Sequence, residues 1–415
     1  MSETDFKQRP HTPGLKRSLT LPYVVLYGLG VTVGAGIYVL VGEVITRSGQ
    51  YAPLSFLIAG LVMLLPAACF AELTGRMPYA AAEAHFVGTG FDSSRMFLLV
   101  GLAVASVGLI SSAAIAHGAA GYLSQLIDLP VTFLLVSTIL ITGIVSSFEI
   151  RNSIAMAGLL TVIEVAGLFA IILGAVVSGY DFPEQALKTV PSSMSPAVWG
   201  GIAASSLLAF FAFIGFEDID SIAEETLNPQ KTLSRGIFIT LFLSVVIYIA
   251  VVLAALATVP VDTMTGHPAP LSLVFTETTP FSPLIISLIA IVATVNGIIV
   301  QLIMASRVLY GLANRGSLPS GLAYVHPWTH TPLIATGASI MFVLALALAF
   351  PITELAQFTS AITLATFILV CAALILIKRK DQNPPPTGTF VVPIWVPYGG
   401  ILACAALLAA GLLAG

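Results

Sequence analysis

Charge is what this chain has least of. Asp, Glu, Lys and Arg make up 9% of its 415 residues, against 57% hydrophobic ones. A soluble chain normally carries about 25% charged residues to solvate its surface. A soluble fold is therefore excluded, and the outer surface must face a lipid bilayer. Cysteine is scarce as well: Cys69, Cys371 and Cys404 all lie in apolar segments. Three scattered cysteines supply neither a disulfide framework nor a metal-ligand pattern. The net charge is −4 and the few basic residues form no stripe, so nucleic acid is not an expected partner. No Walker-type phosphate loop is visible, which argues against ATP-driven transport. The apolar runs also lack nucleophile–base pairs and metal ligands, so no catalytic residue, metal or cofactor is expected, and an enzyme is not.

Long apolar runs are what the chain has in place of charge. About 20 apolar residues cross the hydrocarbon core as a helix. Eleven such segments are present: 20–45, 53–75, 95–125, 130–148, 153–178, 197–225, 233–259, 282–313, 332–350, 353–377 and 389–414. With the N-terminal tail, 1–19, in the cytoplasm, 14 of the 16 Lys/Arg fall inside and only Arg47 and Lys188 outside. Basic residues in short loops set orientation, and an odd helix number then places the C-terminus outside. The tail "MSETDFKQRPHTPGLKRS" lacks the short apolar core and cleavage site of a signal peptide and is expected to be retained. The spans divide into a first five-helix unit (20–178), an outer connection (179–196) and a second five-helix unit (197–377). A charged, proline-rich cytoplasmic linker, "KRKDQNPPPTG" (378–388), then leads to a peripheral eleventh helix, 389–415.

Two spans carry interruptions. "GLGVTVGAGIY" places Gly28, Gly30, Gly34 and Gly36 within nine residues of the first, and each interior glycine costs roughly 1 kcal/mol relative to alanine. Close helix packing accounts for such a run when it stands alone. The sixth span, however, reads "FFAFIGFEDIDSIAEETLNPQKTL", reaching Gly215 and then Glu217, Asp218 and Asp220 before it leaves the membrane. Interrupted segments at corresponding positions of two halves point to a transporter site near the midplane. The half-helix beginning near Ile37 would offer N–H groups and a positive dipole end to a carboxylate. The half-helix ending near Phe211 would offer carbonyls to an ammonium group. Together they fit a zwitterionic α-amino acid.

These stretches resemble the amino acid–polyamine–organocation superfamily, close to its bacterial cationic amino acid transporter-like branch. The resemblance is carried by "GLGVTVGAGIYVLVG", "AELTGRMPYAAAEAHF", "FFAFIGFEDIDSIAEETLNPQKTLSRGI" and "ASRVLYGLANRGSLP", spread over about residues 20–320. It implies an all-α membrane protein of the LeuT type, with two inverted five-helix repeats, discontinuous helices 1 and 6, and alternating access. It further implies carboxylate binding at Gly34, Ala35, Gly36 and Ile37, ammonium binding at the carbonyls of Phe211, Ala212 and Ile214, and a gating role for Phe211. Two features depart from the pattern. Many relatives have twelve helices, and many have a glycine after the proline matching Pro78, where this chain reads "PYAAAEAHF".

Glu164 is the one carboxylate deep within a fully apolar span, in "LLTVIEVAGLFAIILG". Such a charge costs at least ~2.5 kcal/mol at a helix centre and suggests function by default. Many relatives hold a lysine at the corresponding position, so their mechanism does not carry over. A proton on Glu164 is the favoured coupling. A Na⁺ held by Glu164, Thr161, Thr294 and Asn296 is the alternative, as are a neutral structural acid and uncoupled exchange. Glu217 is expected to meet the substrate side chain or to lock the inner gate. A plainer reading has Glu217, Asp218 and Asp220 complement a helix dipole. His117 is read as interfacial, and Arg307 as reaching toward the cytoplasm. Ser111, Ser112 and Ser206 are secondary pocket candidates. The expected function is secondary transport of an α-amino acid, neutral by preference, by a monomer or homodimer in the cell membrane. A cationic amino acid or polyamine, and export or exchange in place of uptake, stay open. A transporter-like amino acid sensor is the competing class, expected to carry a sizeable soluble tail.

Overall fold

The computed structural model describes residues 17–77, 82–148, 154–191, 195–380 and 385–414. Lys7, Arg9, Lys16, Pro78, Arg151 and part of the proline-rich linker lie outside the described residues. Fifteen α-helices follow one another among the described residues: α1 (Leu21–Ser48), α2 (Ala52–Arg76), α3 (Ala82–Phe91), α4 (Ser94–Leu123), α5 (Val131–Ser146), α6 (Ile154–Val177), α7 (Phe182–Lys188), α8 (Pro196–Phe211), α9 (Pro229–Thr258), α10 (Val261–Met264), α11 (Pro270–Thr278), α12 (Leu284–Asn314), α13 (Leu333–Ala349), α14 (Ile352–Lys380) and α15 (Trp395–Ala414). A 3₁₀ segment, Phe216–Glu225, follows α8.

Seven helical stretches among the described residues are long and apolar enough to cross a membrane, the first of them joining α1 and α2. Val131–Ser146, Leu333–Ala349 and Trp395–Gly411 are shorter apolar helices. The protein is a multi-pass membrane protein, and each of the eleven apolar segments of the sequence contains a helix. The starts are locally encoded. Proline occupies the first or second position of α1, α2, α7, α8, α9 and α11, where its missing N–H costs nothing. Ser93 and Asp181 accept the N-terminal N–H groups of α4 and α7.

Small residues bring the helices close. A Cβ on Gly30 would collide with the Thr161 hydroxyl of α6, and one on Gly28 would lie 2.6 Å from Ile219 Cδ1. Gly90 of α3 lies against α14, its would-be Cβ 2.7 Å from Ala373 Cα. The chain before α1 is tied to the end of the 3₁₀ segment: Ser18 and Leu19 N–H donate to the Glu225 carbonyl at 2.9 and 3.0 Å, and Leu227 N–H donates back to Leu19 at 2.9 Å. The last helix, α15, packs against α2, α8 and α14.

Candidate functional site

The interruption of α1 is narrow: one residue, Gly34, has non-helical dihedrals (φ −1°, ψ −127°) within an otherwise continuous helix. That of α8 is wider. From Ala212 to Ile214 the N–H groups turn back to carbonyls three residues earlier, at 3.0–3.2 Å. Gly215 then takes φ +119°, and the chain continues as 3₁₀. A side chain is excluded there twice over, by the left-handed backbone and by Val31 O, 2.8 Å from the would-be Cβ. Gly34 meets nothing within 4 Å, whereas a Cβ on Gly36 would lie 2.8 Å from Ala212 Cα. The four glycines of the first span therefore divide their work. Gly28, Gly30 and Gly36 allow close approach, and Gly34 carries the break.

Both breaks border one cavity of about 700 Å³. Gly34, Ala35, Gly36, Phe211 and Ile214 line it, together with Ser111 of α4, Thr161 of α6 and Asn296 of α12. Ile115, Ala293, Val300 and Met304 supply apolar wall, and Glu83, His85, Arg307 and Arg315 also line it. The other expected residues lie outside the lining. Ile37 is fully buried, and the Ala212 carbonyl is taken by Tyr248. Ser112 and Ser206 donate to carbonyls of their own helices, Gly108 at 2.8 Å and Ile202 at 2.7 Å. Thr294 is fully buried and donates to Ala290 at 2.8 Å. Glu217 accepts the Gly215 N–H at 2.9 Å through Oε2, closing the turn at the break. Glu164, 1% exposed, sits one turn beyond Thr161, and its Oε1 has no hydrogen-bond partner among the described residues. Those residues hold no group of three His, Cys, Asp or Glu able to bind a metal ion.

Several site features were not anticipated from the sequence. Tyr248 of α9 is fully buried, and its hydroxyl reaches the Thr32 carbonyl of α1 at 2.8 Å and the Ala212 carbonyl at 2.7 Å. One phenol proton is thus shared between both interrupted helices. Its only signal was a lone polar tip within the apolar run "SVVIYIAVV". Tyr122 O–H donates to the Tyr38 carbonyl at 3.0 Å, and Tyr38 O–H to the Glu164 carbonyl at 2.6 Å, linking α4, α1 and α6 beyond the break. Gln301 lines the cavity with its Oε1 unpaired among the described residues. Within the lining, Arg315 stacks over Phe97 at 4.5 Å, and the His85 ring meets Phe97 edge-on at 5.2 Å. Burial, and then the Arg315 charge, hold the His85 imidazole below its usual value. Burial pushes the Glu83 carboxyl up.

Comparison with known proteins gives a family. The amino acid permease family profile matches residues 19–415. Cationic amino acid transporter 2, vacuolar, of Arabidopsis thaliana is 30% identical over 406 residues, covering 91% of this chain and 62% of that protein. The chain thus spans less than two thirds of that relative's length. The branched-chain amino acid permease BcaP of Bacillus subtilis is 27% identical, covering 89% and 83%. The crystal structure of a manganese transporter mutant from Eremococcus coleocola superposes with a TM-score of 0.70 at 14% identity, over 96% of this chain and 89% of that one. That likeness concerns the fold alone.

Proposed function

The chain belongs to the amino acid permease family, and from that premise we propose that it is a secondary active transporter of a neutral α-amino acid, driven by a proton and working by alternating access. The observation that carries this reading is the meeting of two interrupted helices, at Gly34 and at Ile214–Gly215, on one cavity. The substrate carboxylate lies against the N–H groups of Gly34 to Gly36, where the second half of α1 begins. The ammonium lies against the carbonyls of Phe211 and Ile214, with Phe211 closing over it. Ile115, Ala293, Val300 and Met304 take the side chain, which favours a neutral one.

In this reading, 20–178 and 197–377 are inverted five-helix repeats, the N-terminus is cytoplasmic and the C-terminus outside. The cavity is then an inward-open state with Arg307 and Arg315 at its mouth. Glu164, buried with an oxygen that finds no donor, is held as the neutral acid and carries the coupling proton. A second reading, a cationic substrate, draws on Glu83, Asp218 and Asp220, which also line the cavity.

Purified protein screened for thermal stabilisation by each of the twenty amino acids tests the assignment, because a ligand of the native state raises its melting temperature. Stabilisation by neutral amino acids is the expected result. Stabilisation by arginine or lysine alone selects the second reading, and no stabilisation by any amino acid overturns both.

A further inference from the structure

Glu72, near the inner end of α2, is fully buried and yet ionically complete. Its Oε1 accepts from Arg76 Nε at 2.9 Å and from an Arg76 terminal nitrogen at 2.6 Å. Its Oε2 pairs with Lys378 Nζ of α14 at 2.8 Å and accepts the backbone N–H of Val392 at 2.8 Å. Lys378 in turn donates to the Val392 carbonyl. None of these residues lines the cavity.

Val392 belongs to the segment between α14 and α15, which is also fastened at Thr389 and Phe390. Thr389 O–H donates to the Gly75 carbonyl at 3.4 Å, and Gly75 has no room for a side chain beside Thr389. The Phe390 ring meets Phe238 of α9 edge-on at 5.3 Å. Two residues after Lys378, Lys380 reaches the Gly90 carbonyl of α3 at 3.3 Å. A charge pair satisfied in a buried site is costly to break, because separation leaves uncompensated ions behind.

We infer that residues 389–392 form a permanent strap, keyed by Glu72, that makes the inner ends of α2 and α14 one rigid unit throughout the transport cycle. The bending is then left to the breaks of α1 and α8. Glu72 and Lys378 are positioning residues, acting on movement and not on the substrate. The inference rests on the transport reading for its rate measurement only.

The test uses Gly75→Cys with Thr389→Cys in the full chain. A Cβ on Gly75 would lie 3.5 Å from Thr389 Cβ, at the short end of disulfide geometry. The oxidised protein is expected to form the cross-link and, in proteoliposomes, to take up the amino acid selected by the thermal screen within about twofold of the reduced rate, as a fixed strap adds no new constraint. Lys378→Met is expected to lose on the order of tenfold in uptake with unchanged substrate affinity, and the cross-link is expected to restore it. Hydrogen exchange at the Val392 amide needs no substrate: it should be slow in the wild type and fast in Lys378→Met. A cross-link that arrests uptake, one that does not form, or a fast-exchanging Val392 in the wild type overturns the strap. Slow exchange without any amino acid uptake would overturn the transport reading and leave the strap standing.

Discussion

Glu83 illustrates how a single side chain can be costly at the edge of a cavity. It is buried, and its charge bears on Asp218 and Glu217. Burial raises its carboxyl above the unfolded value of 4.5. Folding therefore favours the protonated acid, and that contribution is present below the unfolded value and lost as pH rises through the folded one. Glu83→Gln is expected to raise the melting temperature at about pH 8 and to change it little near about pH 4.5. Thermal unfolding across that range, in one detergent, checks the sign; a mutant less stable than wild type at the higher pH contradicts it. Tyr248 is the opposite case, a polar atom whose position serves others. Tyr248→Phe leaves the ring cluster with Phe56 and Phe213 in place and removes one donor from two carbonyls. The expected cost is about 1–2 kcal/mol of stability and weaker amino acid binding. Titration of substrate binding beside the apo melting temperature separates the two effects.

At the scale of the element, the broken α8 depends on Gly215 more than the broken α1 depends on any one glycine. Gly215→Ala places a Cβ in a left-handed conformation (φ +119°) and against Val31 O at 2.8 Å, an expected loss of at least about 1–2 kcal/mol. Hydrogen exchange should localise the loosening to the turn and the 3₁₀ segment; an evenly spread effect would contradict a local hinge. The existence and order of the long helices were legible because apolar runs of span length have few other fates in lipid. Both breaks were legible from glycine at matching positions. Two things were not. The difference between Gly34, facing open space, and Gly36, pressed on Ala212, depends on which neighbour each meets, and no local pattern encodes that. Likewise Glu72 and Lys378 are 306 residues apart, so "AELTGR" and "KRK" read separately as an ordinary inner end and a charged linker. Of the residues expected at the site, Gly34, Ala35, Gly36, Phe211, Ile214, Ser111 and Asn296 line the cavity, while Ile37, Ala212, Glu164, Glu217, Thr294, Ser112 and Ser206 do not. Rotational phase in a uniformly apolar helix is weakly marked, since every face is hydrophobic.

For the molecule as a whole, the proposed coupling requires an ion gradient to act on a cavity that Glu164 does not line. Its neighbour Thr161 lines the cavity one turn away, and Tyr38 connects the Glu164 backbone to α1 beyond the Gly34 break. A change of charge on Glu164 would thus be felt on α1. With one oxygen lacking a donor among the described residues, ionisation in place is disfavoured, so release of the proton requires water to reach the carboxyl through a rearrangement of α1 or α6. That requirement is what couples proton movement to alternating access in the proposed cycle. Glu164→Gln mimics the acid that never loses its proton. It is expected to keep substrate binding, to lose the pH dependence of that binding, and to lose accumulation driven by a pH gradient by tenfold or more, on the order of the cost of fixing one of two states. Exchange of substrate across the membrane, which needs no net proton movement, should persist. Proteoliposomes given a pH gradient or a Na⁺ gradient of equal size decide the matter. Accumulation by the mutant equal to wild type would make Glu164 a structural acid. Uptake driven by Na⁺ alone would replace the proton with sodium.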